Sequence, residues 1–235
     1  MKKALVTGST KGIGLSIARA LIEGGYYVFM NYSSDDESAS SLNLDSGRHR
    51  IIKADVSTMN GVNILTGLLQ KEGNLDCLVL NVGITCRKPF GQIEYEDWAK
   101  VMDANVNMPF LTVQALRNII SEHASIIFTG SDMGIYPHSV SVPYSVSKAA
   151  VHILARSLVK EFAGKKIRVN AIAPGFIDTD WQREKPDWLR EKIEEKIALK
   201  RFGTPQEIAE ACMFLIDNKY INGTVLSIDG GYNFE

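Results

Sequence analysis

Short apolar runs alternate with segments of helical period along the whole chain, and this alternation constrains the fold most. Strands buried on both faces have continuous apolar sequences, and seven runs fit that description, at 4–6, 26–30, 51–54, 77–80, 125–128, 167–172 and 225–228. Apolar residues at helical spacing lie between them, at 13–22, 59–70, 95–120, 144–162 and 205–216. Thr204 is a candidate N-cap of the last of these helices, with Pro205 at its first position. This order predicts an α/β protein, with a doubly wound parallel sheet of about seven strands and helices on both faces.

The length of the chain limits how many domains it can form. Its 235 residues suit one large α/β domain better than separate cofactor and substrate domains. Composition does not shift along the sequence, so we expect a single domain over 1–235. Residues 33–41, rich in serine and acidic side chains, predict a loop or weak helix start, and the second helix is therefore expected to be short.

Charge and cysteine content exclude several classes of protein. Lys plus Arg is 26 and Asp plus Glu is 27, a balance that disfavours a nucleic-acid partner. Three cysteines are too few and too scattered for a disulfide framework or a CxxC metal site, so no metal is expected. No run approaches the roughly 18 apolar residues of a membrane span. We therefore expect a cytoplasmic protein with reduced thiols and no membrane partner.

A glycine-rich turn follows the first strand and opens the first helix. It reads Gly8, Ser9, Thr10, Lys11, Gly12, Ile13 and Gly14. Glycines let the backbone turn tightly and let a pyrophosphate approach, and the helix N-terminus offers free N–H groups to it. The spacing Gly-x-x-x-Gly-x-Gly is neither GxGxxG nor a P-loop, and a turn that only connects strand to helix is the alternative.

The residues after the second strand indicate which dinucleotide would bind. NAD-selective sites place a carboxylate there for the ribose 2′-hydroxyl, but this strand is followed by Asn31 and Ser33, with no acid before Asp35. Lys11 could meet a 2′-phosphate and Ser33 could donate to it. We expect NADP(H), with NAD(H) as the alternative; a solvated Lys11 without a ligand is the competing interpretation.

Tyr144 and Lys148 form a candidate acid–base pair. Residues four apart share one helix face, so the phenol and the ammonium group can reach one cavity. A nearby cation favours the phenolate and is expected to lower the tyrosine pKa from near 10. Such a tyrosine could exchange a proton with a carbonyl or alcohol oxygen. The pair alone is common, so its context must decide.

That context resembles the short-chain dehydrogenase/reductase family along essentially the whole chain. The elements that carry it are Thr7-Gly8-x-x-x-Gly12-Ile13-Gly14, Asp55-Val56, Asn81-x-Gly83, Asn105, Ser131, Tyr144-x-x-x-Lys148 and Pro174-Gly175. They occur in the family's order and at its intervals. The resemblance implies a single-domain Rossmann fold and an NAD(P)-dependent oxidoreductase. The stretches 173–180, 201–209 and 221–231 look most like the 3-oxoacyl-[acyl-carrier-protein] reductases and their close relatives.

The resemblance also implies catalytic roles. Tyr144 would be the acid/base, and Lys148 would lower its pKa and bind the nicotinamide ribose. Ser131 would hold the substrate carbonyl, and Asn105 would hold a water in a proton relay that reaches Lys148.

Further residues are implied to contact the cofactor. The glycines of the turn would line the pyrophosphate, Asp55 with Val56 would meet the adenine, and Asn81 with Gly83 would border the adenine ribose. The nicotinamide carboxamide would be contacted by the turn that contains Pro174, Gly175, Ile177 and Thr179.

The chain departs from the family's pattern in two places. The usual Asn-Asn-Ala-Gly reads Leu80-Asn81-Val82-Gly83, which loses a polar group and adds bulk. Thr129-Gly130 precedes Ser131, where the family often has Ile-Ser. Both departures affect local packing and leave the catalytic hydroxyl in place.

The substrate is the least constrained property. Residues 180–200 are expected to form a charged helical lid, and at least one of its tryptophans, Trp181 or Trp188, is expected to pack against the body. Lys165 and Lys166 could face an acidic carrier protein, but 121–124 lacks the basic residues expected there. His138 is assigned no role.

The sequence therefore leaves three functions open. The first is an NADPH-dependent reductase of carbonyl compounds, including acyl thioesters linked to a carrier protein. The second is a dehydrogenase of a sugar, polyol or other secondary alcohol, and the third is a dinucleotide-sensing protein without turnover. Apolar helix surface at 95–120 and 144–163, together with the resemblance, predicts a homotetramer.

Overall fold

Seven parallel strands form one sheet in the computed structural model, which describes residues 1–44, 47–137 and 141–234. The strands are β1 (Lys3–Val6), β2 (Tyr27–Tyr32), β3 (His49–Lys53), β4 (Leu75–Leu80), β5 (Ile120–Thr129), β6 (Arg168–Pro174) and β7 (Val225–Ile228). Their order across the sheet is β3-β2-β1-β4-β5-β6-β7. The predicted fold class is confirmed.

The strand order reverses between β1 and β4. Leu5 of β1 is in register with Phe29 of β2 on one side and with Leu78 of β4 on the other. Connections to either side leave the carboxyl ends of these two strands uncovered, and ligands of open α/β sheets bind in such a crevice. The glycine-rich turn lies directly after β1, at this crevice.

Helices cover both faces of the sheet. They are α1 (Gly12–Glu23), α2 (Asp36–Ser40), α3 (Met59–Leu69), α4 (Tyr95–Met102), α5 (Met108–Leu116), α6 (Val142–Glu161), α7 (Asp180–Arg183), α8 (Asp187–Lys196) and α9 (Pro205–Asp217). One apolar core joins the sheet to α3, α5 and α6, and a second joins the opposite face to α1 and α9. Burial on both sides explains the continuous apolar strand sequences.

The long helical stretch predicted over 95–120 is confirmed from Tyr95 to Leu116, but it is not one regular α-helix and its last residues are not helical. It is divided into α4, a π-helical segment at Asp103–Asn107 and α5, and Ile120 already belongs to β5. The π-helical turn inserts a wider ring of backbone where Asn105 lies, and such turns often occur at functional sites. A hydrophobic pattern alone does not reveal this interruption, because apolar residues continue through it.

Two local predictions are confirmed. The second helix is short: α2 has five residues and is capped by Asp35, whose carboxylate accepts from the Ser38 N–H. Thr204 caps α9 with Pro205 at the first position, and Glu207 completes a capping box by accepting from the Thr204 N–H at 2.7 Å.

The cysteines and the helices bear on disulfide-linked and membrane-spanning proteins, two classes that the sequence disfavours. Cys77, Cys86 and Cys212 are free thiols. In the part of the chain that the structure describes, no helix combines the length and apolar character needed to cross a bilayer.

Candidate active site

Within the glycine-rich turn, the backbone segments at Gly8 and Gly14 pack closely together. Gly8 and Gly12 have φ values of +60° and +55°, in the left-handed region that glycine adopts without strain. A β-carbon at Gly14 would overlap the Gly8 carbonyl oxygen and lie 2.7 Å from Asn81 Nδ2. A side chain at Gly14 is thus excluded by the turn itself. The resulting open space before the N-terminus of α1 fits the pyrophosphate of a dinucleotide.

Buried polar side chains support this turn from within the protein. Asn81 donates to the carbonyl oxygens of Thr7 and Gly8 at 3.1 and 3.2 Å. Asn31 is 1% exposed and donates to Ala54 O at 2.9 Å, and Ser9 donates to Val6 O at 2.8 Å. Their polar atoms thus fix the shape of the turn. Thr10 is also buried, whereas Lys11 beside it is exposed.

The outer end of the crevice carries charge. Lys11 Nζ lies 3.1 Å from a carboxylate oxygen of Asp35. Hydrogen bonds from the backbone and side chain of Ser38, and then from Lys11, lower the Asp35 pKa to about 2, so the acid is ionised at neutral pH. Ser33, which precedes Asp35 by two residues, is exposed to solvent.

Asp55 and Val56 follow β3 at the same end of the sheet. Asp55 is exposed and accepts from the Ser57 N–H at 3.1 Å and from the Ser57 hydroxyl at 2.7 Å. Val56 is buried. The loop is thus braced by its own side chains, with an acidic group left at the surface.

Tyr144 and Lys148 lie one turn apart on α6, as predicted. Lys148 is 3% exposed, and its Nζ donates to Thr129 O at 2.7 Å, at the carboxyl end of β5. The same nitrogen lies 5.5 Å from the centroid of the Tyr144 ring. The ammonium group is therefore held at a fixed position beside the phenol.

Burial controls the pKa of both groups. The Tyr144 pKa is raised from 10.0 to about 12 by burial, opposed by a hydrogen bond from Ser131. Burial lowers the Lys148 pKa from 10.5 to about 8. The expected lowering of the tyrosine pKa by Lys148 is not seen, because loss of hydration dominates at this site. At neutral pH the site thus holds a phenol and an ammonium ion.

Asn105 is held by the π-helical segment against the loop after β4. It is 1% exposed; its Oδ1 accepts from the Ile84 N–H at 2.8 Å, and its Nδ2 donates to Ile84 O at 2.9 Å. A β-carbon at Gly83 would lie 3.5 Å from Asn105 Oδ1 and 3.0 Å from Lys148 Nζ. The glycine thus leaves space between these two groups.

Ser131 directly follows β5 and faces Tyr144. It is 8% exposed, and its hydroxyl oxygen accepts from the Met133 N–H at 3.2 Å. Its hydrogen bond with Tyr144 brings the two hydroxyl groups together. A substrate oxygen placed at this point would meet both groups.

The turn after β6 approaches the glycine turn. Pro174 ends β6, and a β-carbon at Gly175 would lie 2.8 Å from Asp229 Cα, so the backbone runs close to the segment after β7. A β-carbon at Gly12 would lie 3.5 Å from Thr179 Cγ2. Ile177 is buried beneath this turn. The two turns therefore border one crevice.

The lid contacts Tyr144 through one aromatic side chain. Helices α7 and α8 form most of residues 180–200, as predicted. The Trp181 ring lies edge-on to Tyr144, with 6.0 Å between centroids and an interplanar angle of 73°. Trp188 is 64% exposed. The expectation that at least one tryptophan packs is met by Trp181.

A family model described as enoyl-(acyl carrier protein) reductase matches residues 8–233. The chain belongs to the short-chain dehydrogenase/reductase family. Its members in the comparisons are dehydrogenases and reductases, and the chain is accordingly an NAD(P)-dependent oxidoreductase. These relatives count against the third function, a binding protein without turnover.

Relatives match over nearly their full length. Glucose 1-dehydrogenase 2 of Bacillus subtilis is 35% identical over 98% of this chain and 94% of its own. The 3-oxoacyl-[acyl-carrier-protein] reductase of Aquifex aeolicus is 32% identical over 98% and 96%. The solved structure of the Pseudomonas aeruginosa RhlG/NADP active-site complex has a TM-score of 0.89 and 33% identity, covering 98% of this chain and 96% of that one.

Sequence reasoning missed two side chains of this short-chain dehydrogenase/reductase site. Ser147 accepts from Asn105 Nδ2 at 2.9 Å and thus links α6 to the π-helical segment. His152 lies beside Ser131. Both occur at helical spacing from Tyr144, which was an available signal, but their contacts depend on tertiary packing. His138 lies outside the described residues.

Among the described residues, no group of three or more histidine, cysteine or acidic side chains is arranged to hold a metal ion.

Proposed function

We propose that this protein is an NADP(H)-dependent carbonyl reductase in which Tyr144 supplies the proton. The observation that carries this proposal is the arrangement of the site, in which Ser131 and the buried Lys148 both lie beside Tyr144. With a Tyr144 pKa near 12, the phenol is present at neutral pH, and it hydrogen-bonds with Ser131 beside the Lys148 cation. A protonated tyrosine is the form that reduction of a carbonyl requires.

The bound reduced dinucleotide supplies the hydride that reaches the carbonyl carbon. In our mechanism, Ser131 donates to the carbonyl oxygen and orients it, and Tyr144 transfers its phenolic proton to that oxygen as negative charge develops. Lys148, still protonated at neutral pH, stabilises the resulting phenolate. A water in the space left by Gly83, held by Asn105, would return a proton toward Lys148 and Tyr144.

The remaining predicted residues would bind the dinucleotide. Gly8, Gly12 and Gly14 place no side chain before the N-terminus of α1, where backbone N–H groups would meet the pyrophosphate. Pro174, Gly175, Ile177 and Thr179 form the turn that would meet the nicotinamide carboxamide, while Asp55, Val56, Asn81 and Gly83 would border the adenosine.

The preference for NADP(H) rests on Lys11. Its exposed ammonium group follows the first glycine and could meet a ribose 2′-phosphate, but it is paired with Asp35 in this structure. Because Lys11 and Asp35 carry opposite charges, substituting one or the other should change the preference for NADPH in opposite directions. Lys11→Ala should lower kcat/KM with NADPH about tenfold and leave that with NADH within about twofold, since a charge-assisted hydrogen bond is typically worth 1.5–3 kcal/mol.

Asp35→Asn is the matched variant, because it releases Lys11 without removing it. It should increase the ratio of kcat/KM for NADPH over NADH. A wild-type enzyme that prefers NADH, or a Lys11→Ala variant that loses both cofactors equally, would contradict the assignment.

Two substrate classes have support. A 3-oxoacyl thioester is supported by the similarity to 3-oxoacyl-[acyl-carrier-protein] reductases. A sugar or polyol is supported by the glucose dehydrogenase relative and by Gln182 in the lid, whose buried Oε1 has no hydrogen-bond partner among the residues that the structure describes. A substrate hydroxyl could donate to that oxygen.

A direct comparison separates these classes. Acetoacetyl thioester with NADPH, a panel of ketones with NADPH, and sugars or polyols with NADP⁺ should be assayed with the same preparation. We expect thioester or ketone reduction to have the highest kcat/KM. Exclusive turnover of polyols would replace the reductase assignment by the dehydrogenase, and binding of NADPH without any turnover would favour a sensor.

We also propose a cytoplasmic homotetramer. Phe110 on α5 and Val146 and Ile153 on α6 are 37%, 42% and 58% exposed. Because the last two are seven residues apart on one helix, they share a face and form an apolar stripe that a second copy could cover. Light scattering after size exclusion should give four times 26.0 kDa; a monomer would refute this assembly.

A further inference from the structure

His152 occupies a space that two glycines leave open beside the catalytic serine. It lies on α6, eight residues after Tyr144, and is 4% exposed. A β-carbon at Gly130 would overlap its Nε2 and lie 2.5 Å from its Cδ2, and one at Gly134 would lie 2.8 Å from its Cε1. The imidazole ring is thus enclosed by the residues immediately before and shortly after Ser131.

The ring also makes a polar contact with Ser131. The Ser131 backbone N–H donates to His152 Nε2 across 3.4 Å, a long hydrogen bond. Accepting at Nε2 requires the neutral tautomer with its proton on Nδ1. Burial, with the charges of Lys148 and Arg156 on the same helix, lowers the His152 pKa to about 4, which is consistent with a neutral ring at physiological pH.

This contact explains a departure from the family's pattern. A polar residue with a β-carbon in place of Gly130 could not coexist with the histidine ring at its present position. The glycine and the histidine therefore form a matched pair, one on the loop after β5 and the other on α6. Because α6 also carries Tyr144 and Lys148, the pair ties the position of Ser131 to the acid–base pair.

We infer that His152 is a positioning residue that fixes the Ser131 backbone, and with it the direction of the Ser131 hydroxyl, relative to Tyr144. The inference rests on the proposed role of Ser131 in holding the carbonyl oxygen. His152 acts through the Ser131 backbone and would not itself contact the substrate. Its contribution is to keep Ser131 from turning away as charge develops on that oxygen.

Two substitutions separate the hydrogen bond from packing. His152→Leu fills a similar volume without an acceptor, whereas His152→Gln restores an acceptor near the Nε2 position. We expect His152→Leu to lower kcat about tenfold, the size expected when one buried hydrogen bond is lost, with the KM for NADPH unchanged. His152→Gln should recover at least half of the lost rate.

Val151→Ala provides the control for general destabilisation. Val151 precedes His152 in sequence and is buried in the apolar core, so its truncation should lower the Tm without lowering kcat at 25 °C. Equal kcat values for His152→Leu and wild type would overturn the inference. Equal losses in the leucine and glutamine variants would do so as well, because an acceptor would then not matter.

A spectroscopic measurement tests the geometry without turnover and without any variant. The ¹⁵N shifts of His152 should report an unprotonated Nε2 and a protonated Nδ1 at pH 7, and the Ser131 amide should exchange slowly with solvent. The opposite tautomer would overturn the inference even in a fully active enzyme. A wild type that turns over no carbonyl substrate would instead refute the proposed function and leave this geometry to be judged by the NMR result alone.

Discussion

Two regions of the proposed active site are held in different ways: the proposed catalytic platform, which consists of Asn105, Ser131, Tyr144 and Lys148, and the lid at residues 180–200. Asn105, Ser131 and Lys148 are all less than 10% exposed, and each makes hydrogen bonds to backbone groups of neighbouring elements. The lid consists of two short helices with many exposed charges. Its ring contact with the platform is Trp181 on Tyr144.

Ion pairs within and next to the lid add little to its fixation. Arg183 lies 3.0 Å from Asp180 and 3.9 Å from Asp178, and all three side chains are more than 40% exposed. Such exposed pairs contribute about 0–1 kcal/mol each and are screened by salt. The difference teaches that the two regions have separate physical supports. The platform is fixed by burial, whereas the lid combines exposed pairs around Arg183, which can change at low cost, with Ile193 and Ile197 buried at the end of α8.

The largest effect should follow from removing the Tyr144 hydroxyl. Tyr144→Phe keeps the ring and its contact with Trp181 but removes the proton that our mechanism transfers to the carbonyl oxygen. We expect kcat to fall by about three orders of magnitude, within the range of general acid–base catalysis, with the NADPH dissociation constant unchanged.

Tyr220→Phe is the matched control, because Tyr220 is 99% exposed. It should leave kcat unchanged. Retention of more than about a tenth of wild-type activity by Tyr144→Phe would refute the role of the phenol, since general acid–base catalysis contributes at least about a hundredfold.

Lys148 should give the next largest effect and a diagnostic pH dependence. Burial lowers its folded-state pKa to about 8, so the ammonium group is charged at neutral pH and loses its proton as the pH rises through 8. Because the charge would stabilise the developing phenolate, kcat/KM for reduction should be flat near pH 7 and fall above pH 8. Lys148→Met should lower kcat about a hundredfold at pH 7.

Lys148→Arg tests whether that alkaline loss belongs to Lys148. Arginine keeps its charge across this pH range, so the decline above pH 8 should disappear even though the rate at pH 7 is reduced by the larger side chain. The same decline in the arginine variant would assign it to another group.

Much of the fold was predictable because it depends on local sequence patterns. The strand runs, the glycine turn, the short second helix and the Thr204 cap all involve neighbouring residues or simple periodicity. The π-helical segment was not predictable in this way. Its interruption of the helix is coupled to the hydrogen bonds between Asn105 and Ile84, whose partners are 21 residues apart.

The candidate site was predictable as a set of residue types but not as an electrostatic environment. The resemblance named Tyr144 and Lys148, yet their pKa values depend on burial, which sequence spacing does not report. The buried amide of Asn31 donates to Ala54 O, a contact that sequence spacing does not report either. His152 was missed because its neighbours Gly130 and Gly134 are about 20 residues away in sequence.

The smallest effect, and the one that tests the lid directly, should come from its two tryptophans. Trp181→Ala removes the ring that lies 6.0 Å from Tyr144, while Trp188→Ala removes a ring that is 64% exposed. We expect Trp181→Ala to raise the substrate KM about three- to tenfold, the equivalent of an aromatic contact worth about 0.5–1.5 kcal/mol, with kcat within about twofold. Trp188→Ala should leave both constants unchanged. Steady-state kinetics with the best carbonyl substrate will distinguish the two variants. A large fall in kcat for Trp181→Ala would show that the lid also orders the platform, and equal effects of the two substitutions would mean that the contact with Tyr144 does not select substrate.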